Sequence, residues 1–383
     1  MRVKHDVDPL KVVLVHQPGK EIEQLTPNNL ARLLFDDMPF LEKAINEHST
    51  MTQYLKKHNI KVYDIKDLSI EILQDKDVKI QWINSILHDL KTNDDSVLER
   101  VKSLLLSYND QALVDTFIEG MSYESIGLDH ARTLFVLDPL PNLLFQRDPM
   151  FMIDDICVIS HMQMKARKRE SIMSKFVVRH HPLFRNQHVI DMNLQPHSIE
   201  GGDILVLDHY LLIGLSERTS LDAVWYLENQ LKALNKDYEV IVIELPKERS
   251  YMHLDTVLTP ISKDVFVYDS YALSHSRMYM IKDGKKTAIK HNFESFITNI
   301  IPNTILIEVG DGDNIYAKRE QWNDAANTVA VEPNHIICYD RNTITNQLFQ
   351  DTHIKFYAMP SSELSRGRGG PHCMTMPLDR KSL

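Results

Sequence analysis

Glycine, cysteine and long apolar runs are all scarce in this chain. Its 383 residues include 12 glycines, three cysteines and three tryptophans. Cys157, Cys338 and Cys373 are odd in number and far apart, which excludes a disulfide framework and a paired-cysteine metal knuckle. Free thiols in a reducing cytoplasm are the expectation. The first apolar run, Val12-Val13-Leu14-Val15, is too short for a signal-peptide core or a membrane span. Positive charge is also in deficit. With 43 basic against 53 acidic residues, the net charge of -10 argues against nucleic acid or an anionic membrane as a partner.

What remains is an ordinary globular mixture, 43% apolar and 25% charged. The length allows one large catalytic unit or two domains. Lys11 to His16 reads as a buried strand closed by Gln17-Pro18-Gly19. Thr26-Pro27 has the chemistry of a helix N-cap followed by proline at the first helical position, with Leu30, Leu33 and Leu34 as the inward stripe. Asp37-Met38-Pro39 restarts a helix running towards Lys57, and Ile60 to Tyr63 is strand-like again. Strand, helix, strand at this spacing is an α/β signal. Between about Asp67 and Gly127 helical periodicity takes over: Val97, Val101, Leu104 and Leu105 form a one-faced stripe. This region reads as a small helical insertion, or as helices packed against the main sheet.

From Arg132 onward the strand-helix alternation returns, and polar clusters follow apolar runs. They are Arg147-Asp148, Glu200-Gly201-Gly202-Asp203, His253-Leu254-Asp255, Gly310-Asp311-Gly312-Asp313 and the loop ending in His372-Cys373. Their spacing of roughly fifty to sixty residues predicts stacked or radial units whose polar ends converge. Seven of the 12 glycines fall in three of these clusters.

The last cluster, Arg366-Gly367-Arg368-Gly369-Gly370-Pro371-His372-Cys373, sets a cysteine behind glycines that permit close main-chain approach and arginines that favour a thiolate. The plain alternative is a basic tail carrying an incidental thiol. Convergence of Asp148, Glu200, Asp203, His253, Asp255 and Cys373 supplies a nucleophile, a proton shuttle and several carboxylates. Carboxylates are poor neighbours for a thiolate unless the substrate brings positive charge. A planar guanidinium, with five donors matched to carboxylate pairs, fits best. A metal is the competing reading, although His253 and Asp255 form the one close ligand pair. If the loop is extended at Cys373, His372 points to the opposite side and is not the base.

Phe145-Gln146-Arg147-Asp148-Pro149, Glu200-Gly201-Gly202-Asp203, Met252-His253-Leu254-Asp255-Thr256 and the Gly367 to Pro377 loop resemble the motif set of the arginine deiminases. Leu25-Thr26-Pro27 and Leu33-Leu34-Phe35-Asp36-Asp37 resemble that family's N-terminal region, so the similarity spans essentially the whole chain. The resemblance implies an α/β fold: one catalytic five-bladed pseudo-symmetric α/β propeller over residues 1–383, with a helical insertion over 67–127. It implies hydrolysis of free L-arginine to L-citrulline and ammonia, without metal or other cofactor, by a cytoplasmic homo-oligomer. Cys373 resembles the nucleophile that forms an amidino-cysteine, His253 the general acid/base, and Glu200 the group orienting that histidine. Asp148 and Asp255 resemble the carboxylates gripping the guanidinium. Arg167, Arg218 and Asn142 correspond to the contacts at the amino-acid end of the substrate, and Arg368 to a mobile loop arginine. Gln146 departs from the family pattern, where a smaller hydroxyl residue is expected, and the helical region is shorter. The alternatives are an agmatine deiminase, a methylarginine hydrolase or an amidinotransferase on the same fold, or a silent arginine-binding protein.

Overall fold

Five strand-turn-strand-helix-strand units make up most of the chain. The computed structural model describes residues 1–128 and 133–383; Arg132, where alternation was expected to resume, lies outside the described residues. In the second unit Met150–Ile153 pairs antiparallel with Ile156–Ile159, which pairs parallel with His188–Asp191. Ile204–Leu207, Tyr210–Leu215 and Glu239–Glu244 repeat the scheme, as do Leu258–Pro260, Val265–Tyr268 and Ile305–Glu308. Val329–Glu332, His335–Tyr339 and Lys355–Met359 repeat it again. In the remaining unit the chain ends meet: C-terminal Met376–Arg380 is the antiparallel partner of Leu10–Val15, which pairs parallel with Lys61–Asp64.

Local chemistry explains the repetition. The central strands are near-continuous apolar runs buried on both faces, as parallel pairing with a covering helix requires. Each crossover carries a helix, such as Lys168–His180, Leu221–Ala233 or Thr343–Asp351. Tight turns join first to second strands, with Asp154, Asp208 and Asn334 at φ 52, 55 and 61. Asp and Asn tolerate that left-handed region better than other side chains.

Four helices, Ile65–Ile72, Lys76–His88, Asp95–Ser107 and Asp110–Glu119, fill the region of helical periodicity. Each opens on an Asp or Asn whose side chain accepts a backbone N–H (Asp64, Asp75, Asp94, Asn109). Their buried stripes share one hydrophobic cluster with Leu14, Met150, Cys157 and Met376 of the sheets.

The predicted helix after Thr26-Pro27 does not form; residues 27–34 make a series of turns. Asn29 accepts from Thr26 N and donates to Gln24 O, and Leu34 turns left-handed at φ 64, which ends the run of turns. The Thr26 hydroxyl makes no capping bond. The following helix starts at Leu41, later than the Asp37-Met38-Pro39 signal, and ends at Lys57.

The topology fixes where the polar clusters go. Asp148, Asp203, Asp255 and Cys373 each stand one to three residues ahead of the first strand of their unit, in the loop that enters the sheet. The fourth cluster breaks the rule: Asp311, Gly312 and Asp313 lie on an exposed turn after a third strand. In the unit that follows, the residue two places ahead of Val329 is Asn327, which is fully buried.

Candidate active site

Three entry loops, two segments that follow second strands and the turn-rich N-terminal segment enclose one cavity of about 20 Å³, lined by Asn142, Asp148, Arg167, Arg218, His253, Arg368 and Cys373 together with Leu34. That volume holds about one water molecule. Glu200 and Asp255 are fully buried just behind the lining. All nine residues singled out for chemistry therefore come together, although up to 231 positions separate Asn142 from Cys373 in the sequence.

The imidazole is the pivot. His253 Nε2 lies 2.9 Å from Glu200 Oε2 and its Nδ1 lies 3.6 Å from Asp148 Oδ1. Since an ionised carboxylate only accepts, Nε2 carries a hydrogen, and Nδ1 lies on the Asp148 side of the ring. Burial alone would discharge this ring. The Asp148 charge, the Glu200 hydrogen bond and the charges of Asp203 and Glu200 outweigh it and lift the pKa to about 9. Glu200 goes the other way: burial would raise it, but Arg218, His253 and Arg167 hold it at about 2. Gly202 is what lets these groups approach, because a Cβ there would fall 2.7 Å from Asp148 Oδ1 and 2.8 Å from the His253 ring. Asp203 holds the histidine's loop by accepting from Leu254 N at 2.9 Å.

Cys373 Sγ sits 3.3 Å from Asp255 Oδ2 and 3.1 Å from Asn327 Nδ2. Burial and the charges of Asp255, Asp148 and Asp324 push its thiol well above the ordinary range. Asp255 is itself raised to about 7 by burial, with His253 opposing and Asp148 reinforcing the shift. His372 turns away from the cavity and reaches Asp255 Oδ2 through Nδ1 at 2.8 Å. Burial and Arg147 keep its ring neutral, so it holds the carboxylate.

At the other end Arg167 is clamped. Its guanidinium meets Asp148 Oδ2 at 2.6 Å and Glu170 Oε2 at 2.7 Å. Arg218 is freer: its Nη1 lies 3.6 Å from Glu200 Oε2 and makes no hydrogen bond. Asn142 Nδ2 donates to Leu33 O, tying the turn-rich segment to the site. Arg368, at φ 61, lays its guanidinium 3.4 Å over Trp322 with all three nitrogens unpartnered. Gln146 is buried beneath the site and donates to Leu143 O.

Asp148, Glu200 and His253 also offer ligand atoms within 4.8 Å of one another, the geometry a metal ion would need. Arg167 and Arg218 already lean on the same carboxylates, so a metal cation would face two guanidinium groups. The charge balance fits an organic cation that can displace or share those contacts better than it fits a metal.

Sequence comparison agrees with this geometry. The family profile described as "Arginine deiminase" matches residues 31–380. The chain belongs to the arginine deiminase family. It is 37% identical to an arginine deiminase of Staphylococcus epidermidis over 407 aligned positions, covering 100% of this chain and 99% of that protein. An arginine deiminase of Oenococcus oeni is 36% identical, with 100% and 98% covered. Among solved structures, the N-terminal domain of ArgZ, a cyanobacterial arginine dihydrolase bound to substrate, is similar at a TM-score of 0.58 and 16% identity, with 96% of this chain and 98% of that chain covered. A DDAH from Pseudomonas aeruginosa in complex with citrulline gives a TM-score of 0.56 at 16% identity, covering 96% and 99%. Those likenesses show a mixed α/β fold.

Proposed function

We propose that this protein hydrolyses the guanidinium group of free L-arginine to L-citrulline and ammonia, through an amidino-cysteine on Cys373. The observation that carries the reading is the cavity itself: a thiol, an imidazole charged near neutral pH and the Asp148 carboxylate face one small space, with Glu200 and Asp255 buried behind it, inside a member of the arginine deiminase family.

The chemistry follows from the charges. In the empty site the thiol is protonated and surrounded by acids. A substrate guanidinium between Asp148 and Asp255 takes the place of that proton, which is released to solvent, so binding favours the thiolate. The thiolate attacks the guanidinium carbon. His253, already an imidazolium, protonates the departing nitrogen as ammonia leaves. The neutral ring then takes a proton from water, whose oxygen adds to the amidino carbon. Collapse expels the Cys373 sulfur and leaves the ureido group of citrulline. Glu200 holds the imidazole in register through both steps.

Arg218, Arg167 and Asn142 form the end that receives the substrate carboxylate, which favours an amino acid over agmatine. A cavity of about one water must enlarge to admit arginine, and the buried, unpartnered Arg368 is the side chain best placed to yield. We further infer that the five repeating sheets are blades of a pseudo-symmetric propeller spanning residues 1–383, with residues 67–127 inserted between blades. Meeting of the chain ends in one sheet supports that closure. No helix among the described residues is long and apolar enough to cross a membrane, consistent with a cytoplasmic enzyme. A homo-oligomer without cofactor completes the proposal.

Incubation with L-arginine, agmatine and methylarginine, followed by assay for citrulline and ammonia, tests it. Citrulline from arginine alone is expected; no product from arginine at any pH between 5 and 9 would defeat the reading.

A further inference from the structure

We propose that Asn327 is a catalytic residue, whose side-chain amide donates the hydrogen bond that orients the Cys373 sulfur and stabilises it when it bears negative charge. The proposal deepens the deiminase reading and rests on Cys373 being its nucleophile.

Four contacts tie Asn327 to the reacting centre. Its Nδ2 donates to Cys373 Sγ at 3.1 Å and to the Asp255 carbonyl at 2.9 Å. Its Oδ1 accepts from Cys373 N at 3.0 Å, and its main-chain oxygen accepts from His372 N at 3.3 Å. The network fixes the amide orientation, since a flip would set NH₂ against the Cys373 N–H and oxygen against the Asp255 carbonyl. Asn327 is fully buried. The cysteine loop is shaped around it, because a Cβ on Gly370 would lie 2.7 Å from Asn327 Oδ1.

The electrostatics give the amide a task. Sulfur's other polar neighbour is Asp255 Oδ2 at 3.3 Å, an acceptor that opposes a thiolate. Among the described residues, Asn327 supplies the hydrogen bond donated to this sulfur. Such a bond strengthens when its acceptor is charged, so it favours the thiolate over the thiol. It acts twice, when sulfur is the attacking thiolate and again when sulfur leaves the tetrahedral adduct. The fold gives the residue the same standing as the others. Asn327 stands two places ahead of its unit's first strand, as Asp148 does in its own. It is therefore the entry-loop contribution of the unit that follows the exposed glycine-acid turn.

Asn327→Asp keeps the shape and the acceptor for Cys373 N but removes the donor, whereas Asn327→Ala removes both. Alkylation of Cys373 by iodoacetamide across pH, followed by mass spectrometry of its peptide, reads the thiol without substrate. Both variants are expected to alkylate only at higher pH than the parent and to lose about 10²-fold in kcat. Their KM for arginine should stay within about threefold, because Asn327 does not face the substrate carboxylate. Folded variants with the parent's alkylation profile and kcat would overturn the proposal. So would activity lost only through unfolding, seen as thermal midpoints below the assay temperature for both. If the parent forms no citrulline, the deiminase reading falls while the alkylation result still judges Asn327.

Discussion

Two buried histidines in this protein sit between carboxylates, and they differ in what surrounds them. His16 Nε2 lies 3.2 Å from Glu21 Oε1 and its Nδ1 lies 3.3 Å from Asp64 Oδ1. His253 is similarly placed between Glu200 and Asp148. Burial opposes the charge in both, and carboxylate neighbours reverse it, to about 10 for His16 and about 9 for His253. Around His16 the acids are also spent on the backbone: Asp64 accepts from Gln17 N and Lys66 N, and Glu21 accepts from Gly19 N. None of the three leaves a buried polar atom unpartnered. Around His253, Asp148 Oδ1, Asp255 Oδ1, Arg218 Nη1 and the Arg368 nitrogens lack partners. A charged histidine between acids is therefore no mark of a site by itself. Unsatisfied polar atoms converging on a cavity are a better mark, because each costs stability that a ligand or a bound water returns.

The comparison predicts that substitutions in the open cluster move activity and those in the closed one move stability. Cys373→Ala should abolish citrulline formation, by about 10⁴-fold or more, while circular dichroism shows a native fold. The thermal midpoint should hold or rise, since a thiol among acids is gone. Substantial residual turnover would mean a different nucleophile. Glu200→Gln comes next, with kcat expected to fall about 10²-fold to 10³-fold. Removing that negative charge lowers the His253 pKa from about 9. The imidazolium, and with it the alkaline limb of kcat, should be lost at lower pH than in the parent. An unmoved limb would detach Glu200 from the histidine.

Arg218→Gln should raise KM for arginine about 10-fold to 10²-fold with a smaller change in kcat, and leave any weak turnover of agmatine untouched. Equal losses for both substrates would place Arg218 elsewhere than at the carboxylate. Arg167 is a poorer probe, because Glu170 and Asp148 hold it and its removal would strand two buried acids.

The sequence made the open cluster legible and left the closed one unseen. Acids and a histidine ahead of apolar strands at a regular period are readable, because each unit must enter its sheet in the same way. The same signal misled at Gly310-Asp311-Gly312-Asp313. Glycine next to aspartate also serves tight turns, and here Gly310 and Asp311 adopt φ 62 and 55 while Asp313 accepts from Ile315 N and Tyr316 N just ahead of the helix Tyr316–Trp322. Asn327, lying between Ala326 and Thr328, carries no motif; counting back from the onset of Val329–Glu332 is what finds it. Thr26-Pro27 failed locally as well: the Thr26 hydroxyl bonds no backbone N–H, and Leu34 turns left-handed at φ 64. His16, Glu21 and Asp64 are brought together by tertiary packing, which no local pattern encodes.

That closed cluster supplies the smallest expected effect on activity and the sharpest test of the contrast. His16→Gln would strand Asp64 and Glu21 in a buried place, costing about 3 kcal/mol of stability in urea unfolding, with kcat of the folded protein unchanged. The pH dependence gives the sign. A histidine whose folded pKa of about 10 exceeds the unfolded value of about 6.5 stabilises the fold fully below the lower value. That stabilisation then declines as pH rises through about 10. The parent-minus-variant difference in unfolding free energy should therefore be largest near pH 6 and shrink towards pH 10. A difference that is flat across this window would show that His16 is not charged in the fold, and a fall in kcat would show that the two clusters are coupled.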